Sequence, residues 1–339
     1  QYKDGSSTLY ITGCCEFRFA SMIDDIVERT KDLLTSQSIY KNQAIELSDD
    51  YVPKILNLSN IDSEFMVLSE ETEYDLQPLQ SRLLHPDKCI SKGISLKYGC
   101  LMEGPYGTGK TLLAFKLARE AVQNGWVFIY LKTPSLLAHT LRLAHTIDKN
   151  GHGVVIFVED IDQVVRGNRD GAMQDILNTL DGGDTKDMNV ISLFTTNHIE
   201  LIEPTFLRGK RIGSIVSLTF LDAKTAKKFI VKTFSKDGYT VEEEGMDEVY
   251  NLIEKSEIAP AFMAEITESV KSHMILTDDS VVKSHYIRTS VKSYLRQVEL
   301  SRKKDMTETP EIKLAASLKD VIGMPKVKEG LDRLIEMHE

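Results

Sequence analysis

Residues 104–111 read GPYGTGKT, and no other stretch limits the possible folds as sharply. Three glycines fall within six positions, followed at once by Lys110, Thr111 and an apolar pattern of helical spacing. Glycine loses the most backbone freedom on folding, so such a cluster marks a place where the main chain itself must approach something closely. The stretch lies between a strand-like run, YGCLME, and a helix-like one, KTLLAFKLA. In that setting G-x-x-x-x-G-K-T forms an anion nest: successive backbone N–H groups converge on phosphate, and the helix N-terminus adds a favourable dipole. Lys110 would reach the β- and γ-phosphates, and the Thr111 hydroxyl would ligate Mg²⁺. The expected nucleotide-contacting residues are Gly104, Pro105, Tyr106, Gly107, Thr108, Gly109, Lys110, Thr111 and Leu112. A merely tight strand-to-helix turn would need neither the lysine nor the threonine.

From about residue 66 to 220, strand-like and helix-like patterns alternate: YGCLMEG, a helix over 110–123, WVFIYLK, a helix over 134–147, GVVIFVED, a helix over 170–181, NVISLFTTN and GSIVSLTF. Continuous apolar strands separated by helices predict an α/β fold with a mainly parallel sheet covered on both faces. After Phe220 helical patterns take over, which predicts a small helical lid over 221–300. Residues 1–65 mix STLYITG, an amphipathic helix candidate in SMIDDIVERTKDLLTSQ and a second strand, AIELS, and read as a small α/β prefix domain. The polar SRKKDMTETPEIKLA reads as a linker, so 301–339 is expected to be linker and helical tail.

A nucleotide site needs a carboxylate near the metal and, for hydrolysis, a group that orients water. VVIFVED supplies both, because Glu159 and Asp160 stand at the C-terminal end of a buried strand, the edge where α/β sheets bind ligands. The next core strand ends SLFTTN and puts Asn197 at the same edge, where its amide could bond water or γ-phosphate or serve as a turn residue. Arg208 and Arg211 follow in FLRGKR, either as a solvated loop or as guanidinium donors across a subunit contact.

The order GPYGTGKT, VVIFVEDID, FTTN and FLRGKR over roughly residues 70–300 resembles the AAA ATPase family. The resemblance implies a nucleotide core with a helical lid, assembly into a usually hexameric ring, and ATP hydrolysis with Mg²⁺ at subunit interfaces. It implies that Lys110 and Thr111 are the Walker A pair, that Asn197 is the first sensor, and that Arg208 and Arg211 are arginine fingers. Ala259 and Ala261, in IAPAFMAEI, fall where the second sensor helix begins. Most members end the Walker B strand in Asp-Glu, whereas this chain has Glu159 and then Asp160, an order similar to the mitochondrial Rieske-protein translocase branch. Glu159 then falls at the metal, and Asp160, one methylene shorter than the usual Glu, at the water. Many members also place an aromatic after the second strand to grip polypeptide. Here TPSLLAHTLRLAH offers His139, Thr140 and Leu141 instead.

Lys and Arg total 41 against 51 for Asp and Glu, a net charge of −10. An acidic chain with no dense basic run offers no global footprint for nucleic acid, which disfavours a clamp-loader or helicase role. No apolar run approaches the ~20 residues needed to span a bilayer. Cys14, Cys15, Cys89 and Cys100 lack metal-ligand spacing and read as free thiols in a reducing cytoplasm. The chain begins with Gln1, without a signal-peptide pattern, which reads as a fragment or processed form. Two readings follow from these features: a ring ATPase that remodels or translocates an unidentified protein partner, and a nucleotide-gated assembly scaffold with slow turnover.

Overall fold

The structure is a computed structural model. It describes residues 22–23, 25–26, 28–29, 40–49, 52–60, 66–147, 153–165, 171–181, 189–208 and 211–308. The chain forms two compact units, residues 1–284 and 285–339.

The first unit is built on a seven-stranded sheet whose strands are β1 (Ala44–Leu47), β2 (Lys54–Ile55), β3 (Tyr98–Glu103), β4 (Val127–Leu131), β5 (Val154–Val158), β6 (Val190–Thr196) and β7 (Ser214–Ser217). Their spatial order is β2-β1-β4-β5-β6-β3-β7, and every pairing is parallel except that of β1 with β2. This is the expected mixed α/β architecture with a mostly parallel sheet. All five residues of β5 and all seven of β6 are buried, as strands covered on both faces must be.

Helices α1 (Glu70–Leu84), α2 (Pro86–Ser91) and α3 (Lys110–Gln123) belong to one layer, and α4 (Leu137–Ile147) and α5 (Gly171–Asp181) to the other. In α3 the apolar Leu113, Ala114, Leu117, Ala118 and Ala121 recur at helical spacing and pack with Phe128 and Phe157 beneath the sheet. On the opposite face Leu137, Ala138, Leu141 and Ala144 of α4 join Ile129, Ile156 and Phe194. Each fully buried Leu or Phe of these clusters stabilises the fold by about 2 kcal/mol relative to exposure. Ser69 caps α1 by accepting from Thr72 N at 3.1 Å, and Trp126 Nε1 donates to the Leu83 carbonyl at 3.1 Å, tying α1 to the start of β4.

After the sheet come α6 (Ala223–Lys236), β8 (Thr240–Val241), α7 (Met246–Lys255), α8 (Pro260–Thr277) and β9 (Val281–Val282). Strands are therefore present beyond Phe220, contrary to expectation, because β8 and β9 pair as a short parallel ribbon. The AIELS strand also falls elsewhere than expected. It is β1, hydrogen-bonded in parallel to β4 from Ala44↔Phe128 to Leu47↔Leu131, so residues 44–55 belong to the main sheet rather than to a separate prefix. STLYITG and most of the prefix helix candidate lie outside the described residues.

Of the second unit the structure describes α9 (Ser284–Glu308). That helix runs through the position expected to divide lid from linker, so residues 301–308 are helical. The rest of the expected linker and tail lies outside the described residues.

Candidate nucleotide site

The C-terminal ends of β3, β5 and β6 converge on one edge of the sheet, where the order reverses between strands reached by successive crossovers. The loop after β3 gives the three glycines their reason. Gly104, Gly107 and Gly109 have φ of +145°, +79° and +97°. At Gly104 a Cβ would lie 2.0 Å from the Leu218 carbonyl oxygen, so only glycine fits. Gly109 stands where a capping side chain would, without one, so the first N–H groups of α3 face the loop. Thr108 Oγ1 closes the loop by donating to the Pro105 carbonyl at 2.9 Å.

Lys110 folds back over this loop and donates to the carbonyls of Gly104 at 2.7 Å and Pro105 at 2.8 Å. Burial lowers its pKa, against the opposing pull of Asp160 and Glu103. Thr111, the next residue, donates through Oγ1 to Glu159 Oε1, joining the phosphate loop to the end of β5. Tyr130 donates to the other oxygen, Glu159 Oε2, at 2.6 Å. Burial, followed by this bond and the charge of Glu159, raises the Tyr130 pKa, so the phenol remains a donor.

Asp160 departs from strand geometry with φ +46° and ψ 51°, a left-handed conformation that Asp tolerates better than most residues. The bend sends successive carboxylates apart. Glu159 reaches α3 and β4, whereas Asp160 turns towards β6, where Asn197 Nδ2 donates to Asp160 Oδ1 at 3.0 Å. The Asp160 N–H is held by Thr195 Oγ1 at 3.1 Å. Burial, then the charges of Asp162 and Glu159, raise the Asp160 pKa. Asp162 is buried and accepts from Thr196 Oγ1 at 2.8 Å, a bond that fixes the turn after β5. Asn197 Oδ1 is buried without a hydrogen-bond partner among the described residues.

Lys110, Thr111, Glu159, Asp160, Thr195 and Asn197 line a cavity of about 950 Å³ together with Met66, Val67, Leu68, Phe229, Thr233 and residues of α8, including Ala261, Thr267 and Lys271. The helical segment closes over the loop directly: Ala261 N donates to the Gly107 carbonyl at 3.1 Å, and a Cβ on Gly107 would meet the Ala259 and Ala261 methyls at 3.4 Å. The apolar half of the cavity suits a flat ring, and the loop half suits phosphate. Thr111 and Glu159 offer two hard oxygen donors side by side, a set that fits Mg²⁺, which commonly takes one or two protein oxygens and completes its shell with phosphate and water.

The structure thus brings together Lys110, Thr111, Glu159, Asp160 and Asn197. It does not bring the two arginines to them, for neither lines this cavity. Arg211 forms a two-pronged pair with Asp181 at the end of α5, with Nε donating to Oδ1 at 2.8 Å, and it also donates to the Thr205 carbonyl. Its side chain is 9% exposed. Arg208 is exposed. Thr140 and Leu141, which stand where many AAA members place an aromatic, are buried. Leu141 is 2% exposed within α4 and packs in the core, so it offers no surface to a passing polypeptide.

Tyr130 and Thr195 went unseen in the sequence reading. The available signal for Tyr130 was a lone hydroxyl in the otherwise apolar VFIYL, since a buried Tyr needs a partner for its O–H. Met66–Leu68 and Phe229 carried no signal, because they are ordinary apolar residues that only the fold gathers.

Residues 100–220 match the family described as "ATPase family associated with various cellular activities (AAA)". The chain is 27% identical over 250 residues to an ATP-dependent zinc metalloprotease FtsH of Helicobacter felis, covering 69% of this chain and 39% of that protein. It is 29% identical to a proteasome-associated ATPase of Renibacterium salmoninarum, over 50% of this chain and 33% of the relative. A third relative is an ATP-dependent zinc metalloprotease FtsH of Mesoplasma florum, 28% identical over 56% of this chain and 29% of its own length. The chain therefore spans well under half the length of these relatives.

Proposed function

We propose that the chain binds ATP with Mg²⁺, hydrolyses it, and works as one subunit of a ring, usually hexameric in such proteins, that remodels or translocates a protein partner. The observation that carries the ATPase reading is the continuous set of contacts Lys110–loop, Thr111–Glu159 and Asp160–Asn197 around one cavity. Mg²⁺ held by Thr111 and Glu159 would neutralise phosphate charge. Lys110 exchanges its loop carbonyls for phosphate oxygens. Asp160 accepts a proton from the attacking water, and Asn197, with an unpaired Oδ1, offers that water a second acceptor.

Arg208 is the arginine we assign to a neighbouring subunit's phosphate, since Arg211 is engaged inside its own chain. The Glu159-Asp160 order supports a place near the Rieske-protein translocase branch. The free, buried thiols of Cys89 and Cys100 support a cytoplasmic setting. A nucleotide-gated scaffold is the second reading, favoured by the short reach of Asp160, whose carboxylate is already bonded to Asn197. Steady-state ATPase rates with candidate proteins or DNA added separate these readings: stimulation by protein supports remodelling, and a slow rate unmoved by either supports the scaffold.

The phosphate-loop assignment itself is tested by Lys110→Ala. Equilibrium titration should show ATP affinity falling at least a hundredfold, roughly 3 kcal/mol, because the variant loses the charge-assisted bonds of the loop's cation. Unchanged affinity would remove the assignment.

A further inference from the structure

Tyr130 lies outside the phosphate loop and outside the pair of carboxylates, yet it makes one of the two bonds that hold Glu159. Tyr130 is the fourth residue of β4 and stands in register beside Phe157 of β5, two residues before Glu159. Side chains two apart on a strand share a face, so Tyr130, Phe157 and Glu159 all project towards α3, which begins at Lys110 and Thr111. The phenol ring stacks on Phe157 at 5.4 Å with an interplanar angle of 21°, and meets Phe115 of α3 edge-on at 5.5 Å. A ring gripped on two sides cannot swing, and its hydroxyl becomes a fixed donor.

Glu has one more rotatable bond than Asp, so a Glu at the end of this strand reaches further and is harder to hold in one place. Thr111 alone would restrain one carboxylate oxygen and leave the group free to pivot about it. The Tyr130 hydroxyl on the second oxygen removes that freedom. We propose that Tyr130 is a positioning residue that fixes the Glu159 carboxylate for metal binding, compensating for the extra methylene that Glu159 brings to this strand end. The proposal rests on the nucleotide–Mg²⁺ reading of the site. Outer partners of this kind typically change metal affinity 10- to 100-fold when removed.

The test is Tyr130→Phe in the full chain, which keeps both ring contacts and deletes only the donor. Mn²⁺, an oxygen-preferring ion with a paramagnetic signal, is titrated in the presence of a non-hydrolysable ATP analogue and read by electron paramagnetic resonance. Its apparent dissociation constant should rise about tenfold, while ADP affinity in chelator stays as in the parent. The same change made on Glu159→Asp should alter Mn²⁺ affinity less than twofold, because the shorter carboxylate is out of the hydroxyl's reach. Unchanged Mn²⁺ affinity in Tyr130→Phe overturns the proposal. So does an equal loss in both backgrounds, which would mark a packing effect. If both proteins bind ADP in chelator, only the Tyr130 proposal falls, whereas a parent chain that binds no nucleotide removes the site reading beneath it.

Discussion

Asp160 and Glu159 are neighbours in sequence with different surroundings, and the proposed division of work between them rests on those surroundings. The left-handed backbone at Asp160 costs of order 1 kcal/mol and is held by the Thr195 hydroxyl on its N–H. Asn adopts this conformation as readily as Asp, and an Asn at 160 still accepts from Asn197, so Asp160→Asn keeps the shape and removes the charge. Nucleotide should stay bound while turnover falls 10²- to 10⁴-fold, the range for losing a general base. Glu159→Gln acts differently. Both Glu159 oxygens accept hydroxyl bonds, and a Gln turns one of these acceptors into a donor, so either Thr111 or Tyr130 loses its acceptor and the carboxylate charge is lost. Metal titration of the two variants checks the division. Weaker Mg²⁺ binding in Glu159→Gln and unaltered binding in Asp160→Asn is the expected result, and the opposite pattern would exchange the two roles.

Among the elements, those that carry the nucleotide were legible because their signals are local. The glycine spacing of residues 104–109, the helical face of α3 and the apolar run of β5 each need only a few neighbours to declare themselves. What escaped was long-range or unpatterned. β1 finds its partner some eighty residues away in β4, and nothing within AIEL names that partner. The polar stretch SRKKDMTE extends α9 without an apolar stripe to announce a helix. Leu141 lies with 137, 138 and 144 on a core-facing helical stripe, in keeping with the lack of an aromatic grip there. At Arg211 family likeness and local chemistry point to different roles. Its pair with Asp181 joins the end of α5 to the segment before β7, and its bond to Thr205 secures the loop between β6 and β7. Because Asp181 is 46% exposed, the pair contributes less than a fully buried one. Arg211→Ala should lower unfolding free energy by about 1–3 kcal/mol in urea titration, through lost packing as well as lost charge. Full stability with lost hydrolysis would instead restore Arg211 as a catalytic finger.

At the scale of the whole molecule, the proposed site holds within one chain a loop, a carboxylate assigned to the metal and one assigned to the water, and among the described residues no arginine lines their cavity. On that reading, charge that builds on the γ-phosphate in the transition state would be met within the chain chiefly by Lys110 and the metal. A donor arriving from a second subunit would supply what is missing, and such donors are worth ~10³ to 10⁵ in rate. Arg208 fits that part, since it is exposed on the segment just before β7 while Arg211 anchors the same segment. Within the proposed ring, Arg208→Ala should fold and bind nucleotide like the parent yet hydrolyse it at least a hundredfold more slowly. Lys110→Ala is inactive for the other reason, having an intact donor and a crippled loop. Mixed rings would contain interfaces where the intact loop of an Arg208→Ala subunit faces the intact Arg208 of a Lys110→Ala neighbour, and activity should return there in proportion to their number. With mixed assembly confirmed by native mass measurement, a mixture no more active than its separate components would show that Arg208 is a solvated loop residue and that the transition-state charge is met entirely from within one chain.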